Sequence, residues 1–172
     1  MPCCMFTLHG YATWEPDHPM GYVRRGEGVL PPDPVMAANY AGNASFDAFR
    51  FDRSSQQVVV DAVREACSTI GVRLHYVVCV STHAHAVVSW RGGFTWDEVY
   101  DRIKSICGMR LAKHCGTAGT GRPYFSEGRD SSRVRDRGHF LHLMRKYLPG
   151  HHGVMWRDRD YRSSRGAGPS GG

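Results

Sequence analysis

The chain has 172 residues, 41% of them hydrophobic, and 22 Lys and Arg against 16 Asp and Glu. That length supports one domain with a real core, and no apolar run approaches the ~20 residues of a membrane span. The opening MPCCMFTLHGY has no charged segment followed by an apolar one, and the six cysteines have no disulfide-like spacing, so a soluble, cytoplasmic protein with reduced cysteines is expected.

The charge is uneven along the chain. Residues 1–100 carry seven Lys/Arg against ten Asp/Glu, whereas residues 101–148 carry eleven against four. A basic second half points to a polyanion partner, nucleic acid first, with a solvated basic surface as the plain alternative.

In chain order, Met5 to Trp14 mixes β-branched and aromatic residues and reads as a first strand. Residues 15–52 hold five prolines and several glycines, which predicts a long inserted loop with a short helix near Pro34 to Tyr40. Ser54 and Gln57 have capping-box spacing, Val59, Val63, Ala66, Cys67 and Ile70 repeat at helical intervals, and Gly71 supplies the stop. Two strands follow, Val72 to Ser81 and His83 to Trp90, with Ser81 and Thr82 at the turn.

Within the second of these strands lies the pair His83 and His85. Alternate strand residues point to the same face, so His-x-His places two imidazoles side by side, about 7 Å apart along the strand. That is a two-ligand edge for a metal, although the pair alone also fits a hydrogen-bonded core histidine beside a solvated one.

Thr95 and Glu98 form another capping box, opening a helix with Val99, Ile103 and Ile106 on one side and the basic Lys104, Arg110 and Lys113 elsewhere. Pro123 to Ser126 and Ser131 to Arg135 are short strand candidates, the latter carrying Arg133 and Arg135. Asp136 is a natural N-cap for a last helix, in which Phe140, Leu143, Met144 and Tyr147 share a face until Pro149 and Gly150 break it. From Arg157 the composition turns to Arg, Asp, Ser and Gly, so residues 1–156 read as one domain and 157–172 as a flexible basic tail. Cys107, His114 and Cys115 lack a fourth ligand for structural zinc.

This order of elements describes an α+β, ferredoxin-like (RRM-like) antiparallel sheet with helices packed on it. A His-hydrophobic-His strand in such a sheet, a basic helix after it and a tyrosine on a late helix resemble the single-tyrosine HUH transposases, the REP-associated tyrosine transposases and the insertion-sequence-200-like group. The segments GYATWEPDHPMGYVRRG and YFSEGRDSSRVRDRGHFLHLMRKYL carry further similarity, and the resemblance runs from about Met5 to Trp156. Thr82 stands where the family often has Asn, and Ala84 and Ala86 are smaller than its usual residues.

The resemblance implies an HUH endonuclease that cleaves and rejoins single-stranded or hairpin DNA, with a homodimer left open. In that family the two histidines hold a divalent metal ion, Mg²⁺ or Mn²⁺, against the scissile phosphate. A tyrosine, Tyr147 here, attacks to leave a 5′-phosphotyrosine and a free 3′-hydroxyl. Four residues on, where the family often has Gln or Asn as third ligand, stands His151, with His152 as an alternative. Pro149 and Gly150 require a turn, not a regular helix, to bring Tyr147 and His151 together. Tyr161 and Tyr124 are the next tyrosines to consider as nucleophile. Lys104, Arg110, Lys113, Arg133 and Arg135 are the candidate DNA contacts. A noncatalytic single-strand nucleic-acid-binding module is the alternative, which the joint presence of His83, His85 and Tyr147 disfavours because binding alone needs none of them.

Overall fold

The computed structural model describes residues 1–24 and 27–158. Five strands form one antiparallel sheet: β1 (Cys3–His9), β4 (Arg73–Cys79), β5 (His83–Ser89), β6 (Asp130–Arg133) and β7 (Val154–Arg157), in the order β6-β1-β5-β4-β7. Without β7 this is the strand order and connectivity of a ferredoxin-like sheet, as the sequence predicts. Between β1 and the first long helix the chain makes a small hairpin, β2 (Tyr22–Arg24) with β3 (Gly28–Leu30), and a short helix, α1 (Pro34–Gly42). The segment predicted as a loop is thus partly structured, held by Trp14 edge-on to Tyr22 and Tyr40.

One face of the sheet carries α2 (Arg53–Thr69) and α3 (Trp96–His114), which bury Val59, Val63, Ala66, Ile103, Cys107 and Leu111 against Phe6, Leu8, Val77, Ala86 and Val88. α3 starts at the predicted Thr95–Glu98 capping box, and Gly71 and Gly116 sit at φ +68 and +67 after the two helices, a conformation glycine adopts without a Cβ penalty. α2 corrects the sequence expectation. Its cap is Asp52, whose carboxylate accepts from the Ser55 amide, while Gln57 reaches Asp61 instead. Asp52 directly precedes the first helical residue, Arg53, whereas Ser54 lies inside the first turn, where its hydroxyl donates to Asp52.

The predicted first strand also ends earlier, at His9. A Cβ on Gly10 would stand 2.6 Å from the Phe49 carbonyl oxygen, and Gly10 turns the chain away, with only a single bridge to Phe125 representing the strand expected at Pro123 to Ser126. The Gly10 amide and the Thr13 hydroxyl both donate to the Thr82 carbonyl, and the Phe51 amide donates to that of Ser81. Both ends of the insert therefore brace the turn that delivers His83.

The opposite face is covered over part of its length by α4 (Arg137–His142), capped by Asp136 as predicted, then a π-helical turn (Leu143–Tyr147) and a 3-10 turn (Leu148–Gly150). Leu143, Met144 and Leu148 are buried on Tyr76, Val78 and Val87. The expected stripe of Phe140, Leu143, Met144 and Tyr147 is broken at its end. The Leu148 amide bonds back five residues to the Leu143 carbonyl, and this wide turn puts Leu148, fully buried, where Tyr147 would pack. Tyr147 is left 39% exposed, turned toward the uncovered part of the sheet.

The last strand, β7, was unforeseen. It extends the ordered chain past residue 156, and the Arg73 guanidinium pairs with Asp158 at 2.9 Å beyond it. Of the tail expected from residue 157, residues 159–172, including Tyr161, lie outside the described residues.

Candidate active site

On β5, His83, His85, Val87 and Ser89 alternate with Ala84, Ala86 and Val88, which belong to the helix-covered core. The two histidines therefore share the other face, at the end that α4 leaves open. Their neighbours in register on β1 are His9 and Thr7. The 3-10 turn after Tyr147 brings in His151, whose amide donates to the Leu148 carbonyl at 3.1 Å. One ligand nitrogen from each of His83, His85 and His151 lies within 4.8 Å of the others.

Each of the three rings is held from outside through Nδ1. His83 Nδ1 lies 2.9 Å from Thr82 Oγ1, and His85 Nδ1 lies 3.1 Å from Thr7 Oγ1. His151 Nδ1 lies 3.0 Å from the Tyr147 carbonyl oxygen. A carbonyl only accepts, so His151 carries its proton on Nδ1 and offers the Nε2 lone pair. Anchored rings with free Nε2 atoms converging on one point are how proteins prepare imidazole for a metal. The donor set fits an ion of borderline softness, Zn²⁺ or Co²⁺, best, and suits Mn²⁺ better than Mg²⁺, which prefers oxygen.

Electrostatics agree with a ligand role. Burial, then the neighbouring His83 and His151, pushes His85 down to about 3, and burial, then His9 and His151, pushes His83 down to about 4. Both are therefore neutral at pH 7, so binding a cation displaces no proton from them. The Tyr147 hydroxyl is 3.4 Å from His85 Nε2, a long contact, and its ring is 4.9 Å from that of His151. Burial, then the charge of Asp130, raises the Tyr147 phenol above its ordinary value.

The basic residues singled out in the sequence scatter. Lys104 donates from Nζ to the carbonyls of Ser126 and Gly128, at 2.7 and 3.0 Å, and so clamps the loop before β6 instead of standing free for a phosphate. Arg110 is committed to Glu65 of α2, and both it and the exposed Lys113 belong to the helical layer behind the sheet. Arg133 faces Cys4 in register and so lies on the helix side of the sheet edge, while Arg135 is exposed at the entry to α4. His152 is exposed and outside the triad. Tyr124 is buried and bonded to Thr117. Cys107 is buried and His114 meets Ser54, so no zinc site forms there.

Sequence reasoning missed Thr7, His9 and Asp130, which border the triad, and the exposed Arg145 and Lys146 immediately before Tyr147. No spacing signal could have found the first three, because strand register brings them together. Among the described residues, no helix is long and apolar enough to cross a membrane.

No protein-family model and no curated protein matches the chain. Among solved structures it is similar to a REP-associated tyrosine transposase bound to a REP hairpin. The identity is 11% and the TM-score 0.45, over 83% of this chain and 62% of that one.

Proposed function

We propose that the protein is a metal-dependent endonuclease and strand-transfer enzyme that cleaves single-stranded or hairpin DNA through Tyr147. The observation that carries this reading is the convergence of His83, His85 and His151 beneath the Tyr147 hydroxyl, reached from two separate parts of the chain. A core histidine pair needs no third imidazole, and a packing tyrosine needs no π-helical turn to lift it out of the core.

In this reading His83, His85 and His151 would hold a divalent ion, which would supply Lewis-acid polarisation of the scissile phosphate. Tyr147 Oη bonds to phosphorus as the bond from phosphorus to the 3′ oxygen breaks, leaving the 5′ phosphate on the tyrosine. The phenol proton is balanced by the proton gained at the new 3′-hydroxyl. Arg145 and Lys146, exposed and without an ion pair among the described residues, flank the nucleophile and suit a phosphate backbone.

The test is incubation with Mn²⁺ and end-labelled hairpin oligonucleotides, read as a protein-linked band on a denaturing gel. Tyr147→Phe removes the attacking oxygen and keeps the ring, so the band is expected to vanish while DNA binding and melting temperature persist. His83→Ala is expected to abolish both the band and calorimetric Mn²⁺ binding. A band formed by Tyr147→Phe would move the nucleophile elsewhere. DNA binding with no band from any oligonucleotide would favour a noncatalytic single-strand binding module.

A further inference from the structure

The insert between β1 and α2 carries a cleft of about 520 Å³ that the triad does not use. Four alanines line it, Ala12, Ala41, Ala44 and Ala48, and their small side chains leave room for a flat ring. Phe46 and Arg122 line it too, with the guanidinium carbon 6.0 Å from the centre of the Phe46 ring and 5.9 Å from that of Phe49. The two rings differ in their freedom. Phe49 packs edge-on against Tyr124 and Phe51, at 4.8 and 5.3 Å, whereas Phe46 is 38% exposed and has the edge-on Tyr11, at 6.5 Å, as its ring neighbour.

An exposed phenyl beside a guanidinium that makes no ion pair among the described residues combines what a single strand needs: a surface for a base to stack on and a cation for its phosphate. Arg50, by contrast, is taken by Glu15. A second cleft of about 390 Å³ shares Ala12 and Ala41 with the first but is lined by Glu15 and Asp17. Carboxylates repel a phosphate, which leaves the Arg122 cleft as the place for a nucleotide. Its position relates it to the triad. Ala12 is followed by Thr13, whose hydroxyl donates to the Thr82 carbonyl at 3.1 Å, and Thr82 directly precedes His83, so the cleft is built on the end of the sheet where the triad stands.

We propose that this cleft holds one unpaired nucleotide of the DNA strand, with its base stacked on Phe46, its phosphate on Arg122 and its base edge read by Asp47. The inference rests on the DNA-binding part of the reading above, not on cleavage. Asp47 lines the same cleft, and a carboxylate only accepts, so it favours a base with an exocyclic amino group, such as cytosine, over thymine, which has none.

Fluorescence anisotropy with labelled short deoxycytidine and thymidine oligomers tests this, in the Tyr147→Phe background and without metal so that no cleavage intervenes. Adding Phe46→Ala is expected to weaken binding about 5- to 150-fold, the range for one stacked base, and Phe46→Trp to restore it. Arg122→Gln is expected to lower the slope of log affinity against log salt by about 0.7, one phosphate of a single strand. The background protein is expected to bind the deoxycytidine oligomer about 5-fold more tightly, and Asp47→Asn, whose amide both donates and accepts, to remove that preference. Melting temperature and calorimetric Mn²⁺ binding are expected to stay at parent values in Phe46→Ala, because the ring is exposed and outside the triad.

Phe46→Ala and Arg122→Gln with the background affinity and salt slope overturn the proposal while DNA binding itself stands. Equal affinity for the two oligomers before Asp47 is changed overturns the role of Asp47. A dimer in light scattering that Phe46→Ala dissolves assigns the cleft to a second copy of the chain and overturns it as well. A protein that binds no single strand overturns this proposal and the DNA reading together, whereas the expected losses in a protein that never forms a DNA-linked band uphold the nucleotide cleft and remove the nuclease alone.

Discussion

Mild acid is expected to destabilise this protein in a pH range that belongs to its buried histidines. His75, His83 and His85 have an ordinary value of 6.5, and burial pushes the first two down to about 4 and the third to about 3. In the unfolded chain these imidazoles take up protons near pH 6.5, whereas in the folded protein they stay neutral to about pH 4. Between those limits the unfolded state binds more protons, so stability is fully present above 6.5 and falls as pH falls. At pH 5 each could cost up to about 2 kcal/mol. Solvent screening around His75 and His83 brings a combined figure of about 6 kcal/mol down to roughly 3 kcal/mol, still a large share of the ~5–15 kcal/mol of a typical domain. The carboxylates held low, Asp52, Glu65, Glu98, Asp101 and Asp130, release their contributions only near and below their ordinary range of 3.8 to 4.5. Urea unfolding followed from about pH 7.5 to 5 reads the effect as a falling midpoint at constant slope. His75→Gln, which keeps a hydrogen-bonding group for Ser89, should remove its part of the fall. A midpoint that stays flat between pH 6.5 and 5 would refute the reasoning.

Two further outcomes are expected. Arg145→Ala with Lys146→Ala should weaken binding to single-stranded DNA evenly across sequences, lowering the slope of log affinity against log salt by about 1.4 if each residue neutralises one phosphate; fluorescence anisotropy across a salt series measures it, and an unchanged slope would place the DNA elsewhere. Gly153→Ala should lower both melting temperature and Mn²⁺ affinity, because its Cβ would stand 1.9 Å from the Cys79 carbonyl oxygen and push the chain off β4 two residues after His151; a variant that melts and binds metal like the parent would separate β7 from the site.

The parts legible in the sequence are those fixed by short-range rules. His83 and His85 share a face because strand periodicity is two, whatever the rest of the chain does. The Thr95–Glu98 cap likewise needs only its own turn. Tyr147 resisted this treatment. A period of 3.6 places it on the packing face with Leu143 and Met144, and only the wide turn, whose extra residue lets Leu148 fill the core, reverses that assignment. The energetic reason is visible in the fit: Leu148 is fully buried against the sheet, while the phenol keeps its oxygen out of the apolar layer.

The same distinction explains why β7 matters to a site it does not enter. Val154 to Trp156 reads only as the unassigned end of the domain and Arg157 as the start of a tail, since these four residues have too little pattern to announce a strand, yet pairing with β4 supplies partners that their own sequence lacks. His151 is bounded on one side by the buried Leu148 and on the other by Gly153, packed on the Cys79 carbonyl. Its amide bonds to Leu148 and its carbonyl accepts from the Gly153 amide, so neither side of the residue is free to swing. A third imidazole at the end of a loose tail would pay the ordering entropy each time it met a cation. Held between a buried leucine and an edge strand, His151 is ordered by folding itself, and the triad can meet an ion already assembled.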